Sequence, residues 1–452
     1  MKFNGYYKEM PQNELHRKLK VYNTPEQKVD IWNAFVESDL SDVTGDDFSI
    51  LPRVLPASYW PVIKRSAYLI TKFTMRLLSL PEKEIRAIIP KGPIRDHLIE
   101  ELEVLHHRNG RITGSFRFDM AIVGPPERRK APYLLEINEI GFDGLARSSF
   151  FQKTLLEYMP DLRGRLRSLD TAAAEVRNMQ RLGNRIARLQ YDNYNWDEEY
   201  LLRTGDRLGS EIRLICPSQF GLAIDKDDFP QLEKKPVRFK NNRVVIGQDW
   251  KPDAINMSFA YSMEDYLEGH NLYKKLMQAR TPQYGPFLTG LVAAKTILVL
   301  MDDPPLRKKL LGSSKLMSDS ILPAQLLSDP EVHELLKRPQ DWVLKHTDGC
   351  GGEQVFLNQD VMKRISKIPA RERHEWVLQK KTQLNLIDVN GLLSKPKQAI
   401  SDLGVFVQYD WAKDRFLNFE VGGLMCRATN KSLKVNVSGG GLQVAVLLDR
   451  AR

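Results

Sequence analysis

Two short motifs in this 452-residue chain carry side chains that could gather around a cation: Arg117-Phe-Asp119 within GSFRFDM and Glu136-Ile-Asn138 within PYLLEINEIG. Both lie in apolar–polar alternation, so each reads as a strand with its named residues on one side. Paired as adjacent antiparallel strands, they would bring Asp119, Glu136 and Asn138 to one face. Two carboxylates and an amide oxygen form the hard-oxygen set that Mg²⁺ takes, usually with substrate phosphates completing the shell. Arg117, two residues before Asp119, shares that face and could neutralise a phosphate or a developing anion there. A plain hairpin with a polar outer face would account for the same residues equally well. If the cluster forms, the expected substrate is a nucleoside triphosphate.

Further candidates come late in the chain. DWVLKHTDGCGG, residues 341–352, sets Lys345 at a strand end beside Gly349, Gly351 and Gly352. A lysine can meet phosphate oxygens as a point charge, and glycines supply the close backbone N–H groups that wrap them. An ordinary tight hairpin with an exposed lysine has the same pattern. Cys350 in that loop has no histidine partner placed by the sequence and is read as incidental. WVLQKK, residues 376–381, is an apolar strand with a polar end. Leu378, Gln379 and Lys380 could hold adenine through the main chain, or the segment is simply a core strand. Arg427 in MCRATN could face a transferring phosphoryl group or form a surface ion pair. Lys295, in a mostly apolar segment, is either a snorkelling lysine or a second phosphate ligand.

These residues need elements to hold them. Residues 1–105 read as mainly helical, with apolar recurrence at three and four positions in PEQKVDIWNAFVES, SYWPVIKRSAYLITKFTMRLLSL and IRDHLIEELEVLHH. Residues 106–165 contain the RxD and ExN strands, joined by the turn GPPERRKA, and then a helix over 144–158. In 166–285 a helix is expected over 170–189, followed by alternating short strands and helices. EIRLICP reads there as a buried strand, VRFKNNRVVIG as a hairpin turning at Asn241-Asn242, and DAINMSFAYS as another strand. This stretch reads as a Rossmann-like α/β unit, and without GxGxxG it offers no dinucleotide site. Residues 286–452 carry Lys295, the 341–352 motif and a succession of strands up to the glycines at 439–441. The expected fold class is α+β.

Composition bounds the rest. Hydrophobic residues make up 42% and charged residues 27% of the chain, ordinary for a globular enzyme of two or three subdomains. The first residues, MKFNGYYKEMPQNELHRK, lack the apolar stretch of a secretory signal, and the run GLVAAKTILVLM contains Lys295 and is too short to span a bilayer. A cytoplasmic protein with no membrane partner is expected. The cysteines, Cys216, Cys350 and Cys426, form no CxxC pair, and the adjacent histidines His106 and His107 lack matching ligands, so neither a disulfide framework nor zinc is expected. The net charge of +10 is dispersed among interleaved acids. It suits ATP, a carboxylate substrate or an acidic carrier protein better than nucleic acid, for which no base-reading module is present.

Taken in order, RxD, ExN, Lys295, the VLK strand with its glycine loop, the Gln379 strand and GGxxxR resemble the circularly permuted ATP-grasp enzymes, in particular the glutathionylspermidine-synthase-like ligases. In that family the metal-binding strands precede the nucleotide-binding strands, with a Rossmann-like pre-ATP-grasp unit between them, and 199–285 fits that middle unit. The resemblance covers residues 110–160 and 285–445 by motif and leaves the first hundred unmatched. It implies Mg²⁺ ligation by Asp119, Glu136 and Asn138, and contact of Arg117 and Arg427 with the reacting phosphate. It also implies phosphate binding by Lys295, Lys345 and the 349–352 loop, and adenine held by Leu378, Gln379 and Lys380. An acidic ribose-binding residue, frequent in the family, is replaced here by Lys380 and Lys381. No amidase-type cysteine segment is seen at the N-terminus, so the synthetase part alone is implied. The implied activity is ATP-dependent ligation of a carboxylate to an amine through an acylphosphate, releasing ADP and phosphate. Two alternatives stay open: loading of an amino acid onto a carrier protein, and non-catalytic nucleotide binding on the same scaffold.

Overall fold

The computed structural model describes residues 6–9, 15, 19, 24–36, 48–89, 95–107, 110–139, 144–189, 196–218, 232–257, 272, 274–347, 354–390, 397–431, 435 and 441–450. Its centre is built from the most apolar strands. Leu403–Ala412 and Leu442–Asp449 are buried at every position, so both faces of the sheet must be covered. Helices Leu145–Tyr158 and Thr171–Gln180 pack on one side of these strands, and Trp60–Leu78 also packs against them.

The large sheet runs in the order Phe48–Pro56, Leu442–Asp449, Arg415–Thr429, Leu403–Ala412, Ile112–Ala121. From Leu442–Asp449 to Ile112–Ala121 the neighbours are antiparallel. At Ile112–Ala121 the sheet forks. Residues 117–121 pair with Tyr133–Asn138, whereas Thr113 pairs with Tyr284 at the start of a parallel array. That array continues through Gln283–Tyr284, Ala254–Met257, Arg185–Leu189, Glu211–Pro217 and Leu232–Lys235. Much of the α/β middle of the chain therefore extends the same sheet that carries RxD.

A second, four-stranded antiparallel sheet has the order Ala324–Leu326, Trp376–Lys380, Trp342–His346, Val355–Leu357. On one face Trp342, Leu344, Trp376 and Leu378 pack with Val361 and Ile365 of helix Gln359–Ile365. The opposite face carries Lys345 and Gln379 and meets Tyr133–Asn138 of the large sheet.

Three features depart from the sequence expectation. The first hundred residues contain the strand Phe48–Pro56, which lies parallel to Leu442–Asp449 at the sheet edge. Its two prolines disguise it, and the register shift between Ser49 and Arg53 shows how Pro52 is accommodated in a bulge. Second, the helix expected over 170–189 stops at Gln180, and Arg185–Leu189 is a parallel strand. Gly183, at φ +143°, makes the turn, where a Cβ would lie 2.2 Å from Cβ of Asp253. Third, FLNFEVGG and LMCRATN belong to one long strand, Arg415–Thr429. The hairpin at Asn241-Asn242 has both residues at positive φ, the type I′ geometry that suits the twist of its strands. Among the described residues no helix is long and apolar enough to cross a membrane.

Candidate functional site

Pairing of Ile112–Ala121 with Tyr133–Asn138 sets Arg117 opposite Asn138 and Asp119 opposite Glu136. Residues directly opposite in an antiparallel pair share a face, so all four side chains project together. Gly404 lies across from Asp119 on the other neighbouring strand, and the space a side chain would take there is filled by Met425 and Arg117.

Asp119 is buried and bonded on every side. Arg117 donates Nε to its Oδ1 at 2.9 Å and Nη2 to its Oδ2 at 3.3 Å. Asn138 donates Nδ2 to Oδ2 at 3.0 Å, and Arg427 donates Nη2 to the same oxygen at 2.7 Å. Burial opposes ionisation of Asp119, but Arg117 and Arg427 overcome it and hold the carboxyl below the usual range. Arg427 is in turn gripped by Asp402, which accepts from its backbone N–H at 3.1 Å and its Nε at 3.0 Å. Burial, with the Asp119 charge nearby, pushes the Asp402 carboxyl upward.

Lys295 and Lys345 reach the same place from other elements. Lys295 sits just before helix Thr296–Asp302, and its Nζ lies 3.3 Å from Oε1 of Glu136. Its backbone N–H bonds the carbonyl of Thr347, which ties it to the end of the lysine strand. Lys345 donates Nζ to the Leu135 carbonyl at 2.9 Å and to Oε1 of Gln379 at 2.7 Å. Burial lowers the Lys345 ammonium to about 8; neighbouring Lys295 adds to the fall, and Glu136 and Asp119 resist it. Gln379 completes the clasp by donating Nε2 to the Leu134 carbonyl at 3.1 Å.

The structure thus brings Arg117, Asp119, Glu136, Asn138, Lys295, Lys345, Gln379 and Arg427 together where the two sheets meet. Leu378 and Lys380 project to the opposite face of their strand: Leu378 into the apolar cluster under helix Gln359–Ile365, and Lys380 onto Asp341 and the ring of Trp342. Trp376–Lys380 is paired along both edges, so its main chain is committed to the sheet. Gly349, Gly351, Gly352 and Cys350 lie outside the described residues.

No protein-family profile matches the chain, and no curated protein does. Among solved structures it aligns with a glutathione synthetase-like effector from Globodera pallida in its apo form, at a TM-score of 0.69 and 12% identity, over 97% of this chain and 98% of that one. The fold is that of the effector. A D-alanyl-alanine synthetase A from Vibrio cholerae also aligns, at 8% identity over 53% of this chain and 87% of that one, but its TM-score of 0.23 carries no weight.

Sequence reasoning missed Asp402. In ISDLG it looks like a turn residue, and it does lie between the strands Lys397–Ser401 and Leu403–Ala412. Only the pairing of Ser401 with Ala428 brings it beside Arg427. Arg117, Arg427, Lys295 and Lys345 thus face Asp119, Glu136 and Asp402, leaving an excess of cationic groups suited to a polyanion.

Proposed function

We propose that the chain is an ATP-dependent carboxylate–amine ligase on a circularly permuted ATP-grasp scaffold. The observation that supports this reading most is the convergence of the Asp119/Glu136 and Arg117/Asn138 cross-strand pairs with Lys295, Lys345 and Arg427, at the contact of two sheets. In this reading residues 106–165 and 286–452 make the nucleotide-binding domain, 166–285 the pre-ATP-grasp unit, and 1–105 an appended region. ATP and Mg²⁺ are the implied cofactors, and a small carboxylate and an amine are the substrates.

The donor set suits magnesium. Glu136 offers a half-exposed carboxylate, and Asn138, with its Nδ2 on Asp119, offers its carbonyl oxygen. Among the described residues no cluster of three or more acids, histidines or cysteines could hold a metal by itself, so substrate oxygens would supply the remaining ligands. Asp119 would join them as Arg117 or Arg427 turns from it to phosphate. When bound, the ion would draw charge from the β- and γ-phosphates.

The protein's own groups do the positioning. Lys295 and Lys345 neutralise phosphate oxygens, while Arg117 and Arg427 hold the charge on the transferring phosphoryl group. A carboxylate oxygen of the substrate attacks the γ-phosphorus, the bond to ADP breaks, and an acylphosphate forms. The amine then attacks the acyl carbon and phosphate leaves, giving an amide. No serine or cysteine nucleophile is required. The test is ADP release over a panel of carboxylates crossed with amines, using the wild type and the folded variants Asp119→Ala and Glu136→Ala. Turnover in the wild type alone supports the reading; turnover surviving in both variants overturns it.

A further inference from the structure

Arg53 is a buried arginine on the edge strand Phe48–Pro56, outside every motif tied to the site. Its guanidinium forks around Glu9, donating Nε to Oε2 at 2.9 Å and Nη2 to Oε1 at 2.6 Å. The remaining arm donates Nη1 to the backbone carbonyl of Asp402 at 2.8 Å. Glu9 is itself fixed. Its backbone N–H bonds the Leu386 carbonyl, the Leu386 N–H bonds the Tyr7 carbonyl, and Asn385 donates Nδ2 to Glu9 Oε1 at 2.7 Å. Residues 6–9 therefore lie along strand Leu386–Val389 and deliver an acid to Arg53.

Asp402 is the residue that aims Arg427 at Asp119. The relay Glu9–Arg53–Asp402–Arg427–Asp119 is continuous through buried or half-buried polar contacts. A planar guanidinium can hold a carboxylate with one edge and a carbonyl with another, which a lysine cannot reproduce. Holding the carbonyl of residue 402 fixes the carboxylate on the same residue, and small errors in such placement are costly in phosphoryl transfer.

We propose that Arg53 and Glu9 are positioning residues for Arg427, which makes the Phe48–Pro56 strand and residues 6–9 working parts of the phosphate site. The inference rests on the ligase reading for its kinetic test alone. Arg53→Lys should lower kcat for ADP release at least about tenfold while KM for ATP stays within about twofold, because the lost geometry matters in the transition state. Glu9→Gln keeps an acceptor for Arg53 and should show a smaller fall of the same kind. Arg165→Lys, which weakens a comparable arginine–carboxylate pair with Asp449 away from the site, should lower the melting temperature and leave kcat unchanged.

A second readout is independent of turnover. The ¹⁵Nε resonance of Arg427, assigned with Arg427→Lys, should shift in Arg53→Lys and stay in place in Arg165→Lys. If Arg53→Lys does not fold, Glu9→Gln carries both measurements. A wild type that releases no ADP would sink the ligase reading, and the Arg427 resonance would then decide the positioning relay. An Arg427 resonance unmoved in both Arg53→Lys and Glu9→Gln, or kcat unchanged in both, overturns the proposal.

Discussion

Lys345 and Gln379 clip one sheet to the other: the lysine donates to Oε1 of the glutamine at 2.7 Å, and each side chain also bonds a main-chain carbonyl of Tyr133–Asn138. An ammonium used in this way is desolvated, which brings it to about 8. Anion binding that depends on its charge should therefore weaken as pH rises through about 8. Stability should move the other way. Between about 8 and the ordinary lysine value of 10.5 the unfolded chain binds the proton that the folded chain has shed, so stability rises with pH across that window. Titrating ATP binding and denaturant midpoints from pH 7 to 10, in wild type and Lys345→Met, checks both slopes; Lys345→Met should flatten each.

Asp119→Asn removes the charge on which Arg117 and Arg427 converge. Breaking one partner of a buried ion pair costs about 3–5 kcal/mol, and a loss in that range is expected at neutral pH. The folded-state pKa of Asp119 is depressed, so its contribution is present above the ordinary carboxylate value and is lost as pH falls through the lower, folded value. The gap between wild type and Asp119→Asn in urea midpoint should narrow in acid. A constant gap from pH 7 down to the acid transition would contradict the assignment.

Removal of divalent cations should stop ADP release without altering the melting temperature, and added Mg²⁺ should restore it. Glu136 is the more exposed acid of the pair and holds Lys295, so Glu136→Gln should raise the Mg²⁺ concentration needed for half-maximal turnover by at least about tenfold. Unchanged Mg²⁺ dependence in that variant would remove Glu136 from the metal site.

Gly423 has no room for a side chain, since a Cβ there would stand 1.6 Å from Oγ1 of Thr171. Thr171 begins helix Thr171–Gln180 and shares a hydrogen bond with Ser148 on the neighbouring helix, so it cannot yield freely. Gly423→Ala should destabilise by about 1–3 kcal/mol in equilibrium unfolding. Thr171→Ala should recover much of that loss when combined with it. Gly404→Ala meets Cγ of the buried Met425, at 2.6 Å rather than 1.6 Å, and should cost less.

Much of the secondary structure was legible because it is local. The helices Pro25–Val36, Trp60–Leu78 and Arg95–His107 announce themselves by their spacing, and the strands bearing RxD and ExN by their alternation. Phe48–Pro56 was illegible because its prolines argue against a strand, and the bulge and edge position that admit them depend on a partner some four hundred residues away. Arg185–Leu189 reads as a continuation of the preceding helix, since RIARL fits either period and only its parallel neighbours select the strand.

The residue types able to meet phosphate and magnesium were readable from the chain itself, because charge, hardness and strand alternation are properties of a few consecutive residues. Which cation faces which acid was not. Asp119 and Arg427 are 308 positions apart, and their 2.7 Å contact exists because antiparallel registers place Leu403–Ala412 between Ile112–Ala121 and Arg415–Thr429. The same register brought in Asp402 and, through the edge strand, Arg53, neither of which carries a local mark of its role. Sequence supplies the chemistry in pieces, and long-range strand pairing determines its geometry because a hydrogen-bonded register is a property of two segments and never of one.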